Sequence, residues 1–237
     1  MRSGGWTLGG QTQAWEAHEV PGQGLERWAR DIGQRHGRPW RKARADLWLS
    51  GGLARPFLFG PVAGIKGWQE AEVVAAAAAP EWTGLAGPCR VHLEAWPGEA
   101  STVCTALDAS LSDAIESTAR ACRITWRNVR PRWAVALDAA LGKRPSTALF
   151  AVSEEDAFTL LCESTSSSPA SPGMSVAATY SPALDEAEAR ALWHRMRISF
   201  GVEDHDAVQA HVSTPGQGMS MLPEPGGSWP PATGAMT

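Results

Sequence analysis

A chain of 237 residues, 43% of them hydrophobic, can bury roughly 70% of the surface its unfolded form exposes, so no disulfide framework is needed to hold it together. Its 21 basic and 25 acidic residues leave a net charge of -4, which argues against a dedicated nucleic-acid binder, because such proteins present a strongly basic face. The start, MRSGGWTLGGQTQAWEAHEV, lacks the apolar core of a signal peptide, and no run reaches the ~20 apolar residues of a membrane helix, so a cytoplasmic location is expected.

The first elements in chain order are two short runs around Gly9 and Gly10, Trp6 to Leu8 and Thr12 to Val20, which suit a hairpin. Leu25, Trp28, Ala29 and Ile32 then stand at single-face helical spacing, predicting a helix over 24–37. ADLWLSG (45–51) and RPFLFGPV (55–62) read as two strands joined in a hairpin by a Gly51-Gly52 turn. An alanine-rich stretch predicts a helix from Trp68 to Ala79, ended by Pro80. CRVHLEAWP (89–97) and STVCTALDA (101–109) follow as a strand pair across Pro97-Gly98, and Ser110 offers a hydroxyl to cap the next helix, which carries Leu111, Ala114, Ile115 and Cys122 on one face.

RITWRNVRPRWAVAL (123–137) interleaves arginine and tryptophan. Ile124, Trp126 and Asn128 alternate with Thr125, Arg127 and Val129, the period of a strand, with Trp126 inward and Arg127 on the opposite face. Pro131 forces an extended residue before it and suits a helix start, so a helix anchored by Trp133 is expected to run to Gly142. TALFAVSEEDAFTLLCES (147–164) predicts a hairpin with a solubilising tip at Glu154, Glu155 and Asp156. STSSSPASPG (164–173) reads as a flexible loop, SVAATY (175–180) as a strand, Asp185 to Ile198 as a helix and DAVQAHVS (206–213) as a last strand. The Pro-, Gly- and Met-rich stretch beyond Thr214 has no periodicity and is expected to be disordered.

Few residues announce a chemistry. Cys89, Cys104, Cys122 and Cys162 are widely spaced, with neither a Cys-x-x-Cys pair nor zinc-finger histidines, and read as small buried hydrophobes. Twelve tryptophans face a single tyrosine. Tryptophan can build a stacking platform, but Trp28, Trp48, Trp68, Trp126, Trp133 and Trp193 fall on apolar stripes, which predicts core packing. SGGLARP (50–56) places two glycines after a strand, yet lacks the Lys-Ser/Thr pair of a P-loop and the three-glycine dinucleotide spacing. EDHD (203–206) with His211 has metal-ligand chemistry without evident partner ligands, and no nucleophile elbow occurs, so no catalytic or metal-binding residue is assigned. The strongest charge signal is RHGRPWRKAR, where Arg35, Arg38, Arg41, Lys42 and Arg44 stand without an acid; they could contact an anionic membrane surface or nucleic acid, or simply line a solvated connection.

The element order over residues 4–165 resembles the ribonuclease H-like unit of the actin-like ATPase superfamily. LSDAIESTARACRITWRNVRPRWAVAL (111–137) is similar to the helix, strand, proline and helix of the type IV pilus assembly protein PilM and the type II secretion protein GspL families. ARADLWLSGGLARPFLFGPV (43–62) is similar to their strand pair before a helix. The resemblance implies an α/β fold with a mixed sheet, ribonuclease H-like and actin-like, with residues 1–145 as a first subdomain, 146–213 completing or extending it, and 214–237 as a tail. It implies a cytoplasmic adaptor of a pilus or secretion apparatus, reaching the membrane through an inner-membrane assembly protein or its cytoplasmic peptide. Actin-like ATPases carry an Asp in the first hairpin for metal-phosphate contact; residues 4–20 offer only Glu16 and Glu19 as acids. Mg-ATP therefore has no supporting motif, and a non-catalytic protein with a degenerate nucleotide site is the expectation. The alternatives are an active ATP-binding member of the same fold and a nucleic-acid-binding module using residues 35–44.

Overall fold

Alternating and helical apolar periods place the chain's hydrophobic residues on three sheets and the helices that cover them. The computed structural model describes residues 2–8, 11–17, 25, 27, 43–98, 101–142, 148–163, 174–180, 184–212 and 219–221. The first sheet has the order β2-β1-β3-β7. Its strands β1 (Arg2–Leu8) and β2 (Gln11–Ala17) form the antiparallel hairpin expected there, β1 also meets β3 (Ala43–Leu49) antiparallel, and β3 runs parallel to β7 (Ile124–Pro131). Between β3 and β7 the chain forms an antiparallel sheet, β4-β6-β5, from β4 (Ala54–Phe59), β5 (Cys89–Leu93) and β6 (Thr102–Asp108).

Helix α1 (Trp68–Thr83) covers that small sheet. Ala71, Ala75, Ala79 and Thr83 recur every fourth residue on its buried side and lie among Phe57, Phe59, Leu93, Cys104 and Ala106, the small side chains letting the helix lie close to the strands. The helix continues through Pro80, where a stop was expected. Proline removes a single N–H near the end, and Gly84, left-handed at φ 68, closes the helix by donating its N–H to the Pro80 carbonyl at 2.9 Å.

Helix α2 (Ala109–Cys122) closes the core of the first sheet, with Leu111 and Ile115 against Leu47, Leu49, Ile124 and the helical residue Leu25. Its cap is Asp108, not Ser110: the carboxylate accepts from the N–H groups of Ser110 and Leu111, so the last residue of β6 meets the positive helix end. On β7, Trp126 lies half-buried and donates its indole N–H to the Ile115 carbonyl of α2, while Arg127 on the other face pairs with Asp46 of β3, as the alternation predicts. That arginine, with Asn128, holds the Asp46 carboxyl below the usual carboxylate range.

The third sheet has the order β10-β9-β8-β11-β12. Strands β8 (Leu149–Ser153), β9 (Phe158–Glu163) and β10 (Met174–Tyr180) form an antiparallel meander, β11 (Ala207–Val212) runs parallel to β8, and β12 (Met219–Met221) pairs with β11 inside the stretch expected to lack structure. Helix α3 (Arg132–Leu141) lies on one face, where Trp133, Ala136 and Ala140 meet Phe150, Val152 and Leu161. Helix α4 (Glu186–Ser199) lies on the other, where Ala189 and Trp193 meet Leu149, Ala151, Leu160 and Cys162. A sheet covered on both faces needs apolar residues at every position, which is why LFAV is buried throughout. Asp185 and Glu188 close a capping box at the start of α4.

Trp133 is buried as expected, as is Trp193, whereas Trp48 and Trp68 are 39% and 50% exposed. None of the four cysteines is in a disulfide; Cys104 and Cys162 are buried, Cys89 and Cys122 half-buried, and burial pushes the Cys104 thiol up to about 12. The expected helix over 24–37 is described only at Leu25 and Arg27; Trp28, Arg35, Arg38, Arg41, Lys42, the loop 164–173 and most of the stretch after Thr214 lie outside the described residues. Arg44 is described only by its backbone position in β3, level with Thr125 of β7.

The Trp133 indole N–H donates to the Ala54 carbonyl at 2.9 Å, tying α3 to the start of β4. Trp133→Phe removes that hydrogen bond and part of a fully buried ring, and urea unfolding should show a loss of about 2 kcal/mol. Trp82→Phe, at a site 66% exposed, should stay within about 0.5 kcal/mol of the parent.

Candidate functional site

In open α/β sheets the ligand position lies outside the carboxyl ends of parallel strands. Here two such places coincide. Strands β3 and β7 end side by side, Leu49 opposite Pro131, and lead into the Ser50-Gly51-Gly52 turn and the first residue of α3, Arg132. Strands β8 and β11 end with Ser153 opposite His211, and β8 leads into Glu154. The turn and the hairpin tip touch directly.

The Gly51-Gly52 segment is therefore no hairpin turn. Strand β3 pairs with β1 and β7, β4 pairs with β6, and the glycines turn the chain from one sheet to another. The N–H groups of Leu53 and Ala54 donate to the Ser50 carbonyl, and Arg55 donates both to the Gly52 carbonyl at 3.1 Å and to Thr83, at the end of α1, at 2.6 Å. A Cβ on Gly51 would stand 2.5 Å from Thr159 Oγ1 and 2.8 Å from Glu154 Oε2; one on Gly52 would stand 2.7 Å from Asp156 Oδ2. Glycine is needed here because the opposite hairpin comes so close.

Glu154, expected at a solubilising tip, is buried, its side chain 0% exposed. The physical reason is the path of β8, which is covered on both faces and delivers its next residue to the junction rather than to solvent. Glu154 Oε2 accepts the Gly51 N–H at 2.7 Å, and the Ser50 hydroxyl donates to Asp156 Oδ2 at 2.8 Å. Arg132 Nη1 stands 3.9 Å from Glu154 Oε1, with its own side chain 7% exposed. Oε1 itself has no hydrogen-bond partner among the described residues. Burial pushes the Glu154 carboxyl up to about 7; the Gly51 N–H and Arg132 oppose that shift, and Asp156 adds to it.

Solved structures similar to this chain include three proteins of known architecture. One is a Bacteroides thetaiotaomicron protein described as having an actin-like ATPase fold and unknown function, 8% identical over 82% of this chain and 68% of its own, at a TM-score of 0.49. Another is the cytoplasmic domain of EpsL, an inner-membrane component of the type II secretion system of Vibrio cholerae, 12% identical over 74% of this chain and 63% of its own, at 0.41. The third is the PilM-PilN type IV pilus biogenesis complex, 12% identical over 84% of this chain and 62% of the matched chain, at 0.46. This chain thus spans about two thirds of the length of each. No family model and no curated protein matches it.

Of the other sequence candidates, Arg35, Arg38, Arg41 and Lys42 lie outside the described residues. Asp204 of the EDHD segment lies in a short 3-10 turn and pairs with Arg197 of α4. Among the described residues no group of three or more His, Cys, Asp and Glu side chains could hold a metal ion, and no helix is long and apolar enough to cross a membrane. No local sequence signal marks the burial of Arg132, because it depends on tertiary packing beside Glu154 of the β8-β9 hairpin.

Two outcomes follow from this geometry. Gly51→Ala should destabilise the protein by about 1–3 kcal/mol in chemical unfolding, since Thr159 and Glu154 must both give way. Glu154 binds its proton more tightly folded, at about 7, than unfolded, at 4.5, so its contribution is fully present below pH 4.5 and is lost as pH rises through about 7. Unfolding midpoints measured from pH 5 to 8 should fall, by the equivalent of a few kcal/mol, and Glu154→Gln should flatten that slope.

Proposed function

We propose that this chain is a non-catalytic adaptor of actin-like, ribonuclease H-like architecture, with a degenerate nucleotide site, that docks an inner-membrane component of a pilus or secretion assembly apparatus from the cytoplasmic side. One observation carries the loss of nucleotide binding: the crevice where the carboxyl ends of both parallel pairs meet is filled by the protein's own Glu154 and Asp156. A phosphate group there would have to displace a buried carboxyl from the Gly51 N–H and would face Asp156 across a low-dielectric gap.

The actin-like reading, with residues 1–145 as a first subdomain and 146–213 completing or extending it, is supported by the pairing pattern. Read from the edge, each large sheet has two antiparallel pairings followed by a parallel one, β2-β1-β3-β7 and β10-β9-β8-β11, and in each the parallel return strand follows a helix. The docking role is supported by the unit formed by α1 and its sheet. Five of the ten large apolar side chains exposed among the described residues belong to it: Trp68, Val73, Val74, Trp82 and Trp96.

Titration calorimetry with Mg-ATP separates this reading from an active ATPase: no binding tighter than about 100 μM, roughly 5.5 kcal/mol, is expected. Photocrosslinking from position 73 in cells should join the protein to an inner-membrane assembly component, and Val74→Glu with Trp82→Glu in the same chain should abolish the adduct. Tight Mg-ATP binding restores the ATPase reading. A crosslink to no assembly component removes the docking role.

A further inference from the structure

We propose that Glu154 is a proton-operated latch: as the neutral acid it holds the β8-β9 hairpin against the Ser50-Gly51-Gly52 turn, and as the carboxylate it releases the hairpin tip. The inference concerns the junction itself and stands whether or not a nucleotide or a partner binds.

The hairpin tip meets the turn through the Gly51 N–H to Glu154 Oε2, the Ser50 hydroxyl to Asp156 Oδ2, and the close approach of Gly51 and Gly52 to Thr159, Glu154 and Asp156. Both of these hydrogen bonds end on an acid of one four-residue tip. The charged groups acting on Glu154 include Arg132 from α3 and Asp156 from its own hairpin; Glu155 is exposed, and Arg55 of β4 donates to the Gly52 and Thr83 carbonyls.

Burial and the distance of Arg132 weigh against a carboxylate here. The Arg132 nitrogen lies 3.9 Å from Oε1, beyond hydrogen-bond distance, and Oε1 accepts nothing else among the described residues. Ionisation would thus place a charge with one hydrogen bond in a fully buried position, beside Asp156. The relief open to the hairpin is to swing its tip toward water, breaking the Ser50 to Asp156 bond in the same movement. Burial sets the transition near neutrality, at about 7.

Hydrogen exchange on the full chain, corrected for the intrinsic pH dependence of amide exchange, reads the latch directly. Protection of the Gly51 amide and of the amides of 153–157 should fall roughly tenfold between pH 6 and 8, the ratio of neutral acid across a transition at about 7. Protection in the α4 amides should stay level. Glu154→Gln, permanently neutral, should keep Gly51 protected throughout. Asp156→Asn retains Glu154 but removes the opposing charge, so the fall should persist and move to lower pH. Flat protection in the parent overturns the latch. So does a rise with pH, which would mean that Arg132 closes on the carboxylate, or an Asp156→Asn midpoint that does not move; that last readout decides the matter even if Glu154→Gln fails to fold.

Discussion

A buried glutamate holding a backbone N–H across the junction of two parallel strand pairs is the contact on which the arrangement of this protein depends. Glu154 reaches Gly51 only because β8 is sheathed by α3 and α4, and Gly51 receives it only because no side chain stands in the way. The two glycines are thus explained by proximity rather than by backbone angle. A methyl group at either position would collide with an oxygen of the opposite hairpin.

The surrounding elements serve that junction in different ways. Trp133 packs α3 into the third sheet and bonds the first residue of β4, so it fixes the helix that presents Arg132. Arg55 ties the turn to the last turn of α1, joining the small sheet to the same place. The alanine stripe of α1 hides one face of that helix and leaves Val73, Val74 and Trp82 outside. Burial and exposure are thus divided within one helix, as on any amphipathic surface helix.

The buried acid also unites two properties that otherwise look unrelated. It takes up the Gly51 N–H at the crevice, and it carries a proton whose loss burial makes costly in place. Arg132 moderates that cost without cancelling it, because it stops short of hydrogen-bond distance. Both properties are consequences of the same carboxyl.

Local signals in the sequence were enough for most elements. Period-two alternation places Trp126 inward and Arg127 outward, proline and Trp133 mark the start of α3, and the helix expected from Asp185 to Ile198 is α4, since each depends on neighbours within a few residues. Pairing between sheets lay beyond such signals: SGG followed by an apolar run has the composition of a hairpin turn, and only the choice of β1 and β7 for β3, and β6 for β4, makes it a corner between sheets. Asp108 displaced Ser110 as a cap for the same kind of reason, since the end of β6 brings a carboxylate to the helix start. Glu154 is the clearest case. Its chemistry is written in one letter, but its burial, its raised proton affinity and its partners Gly51 and Arg132 arise from chain segments brought together by tertiary packing, because desolvation is a property of what surrounds a group and not of the residue itself.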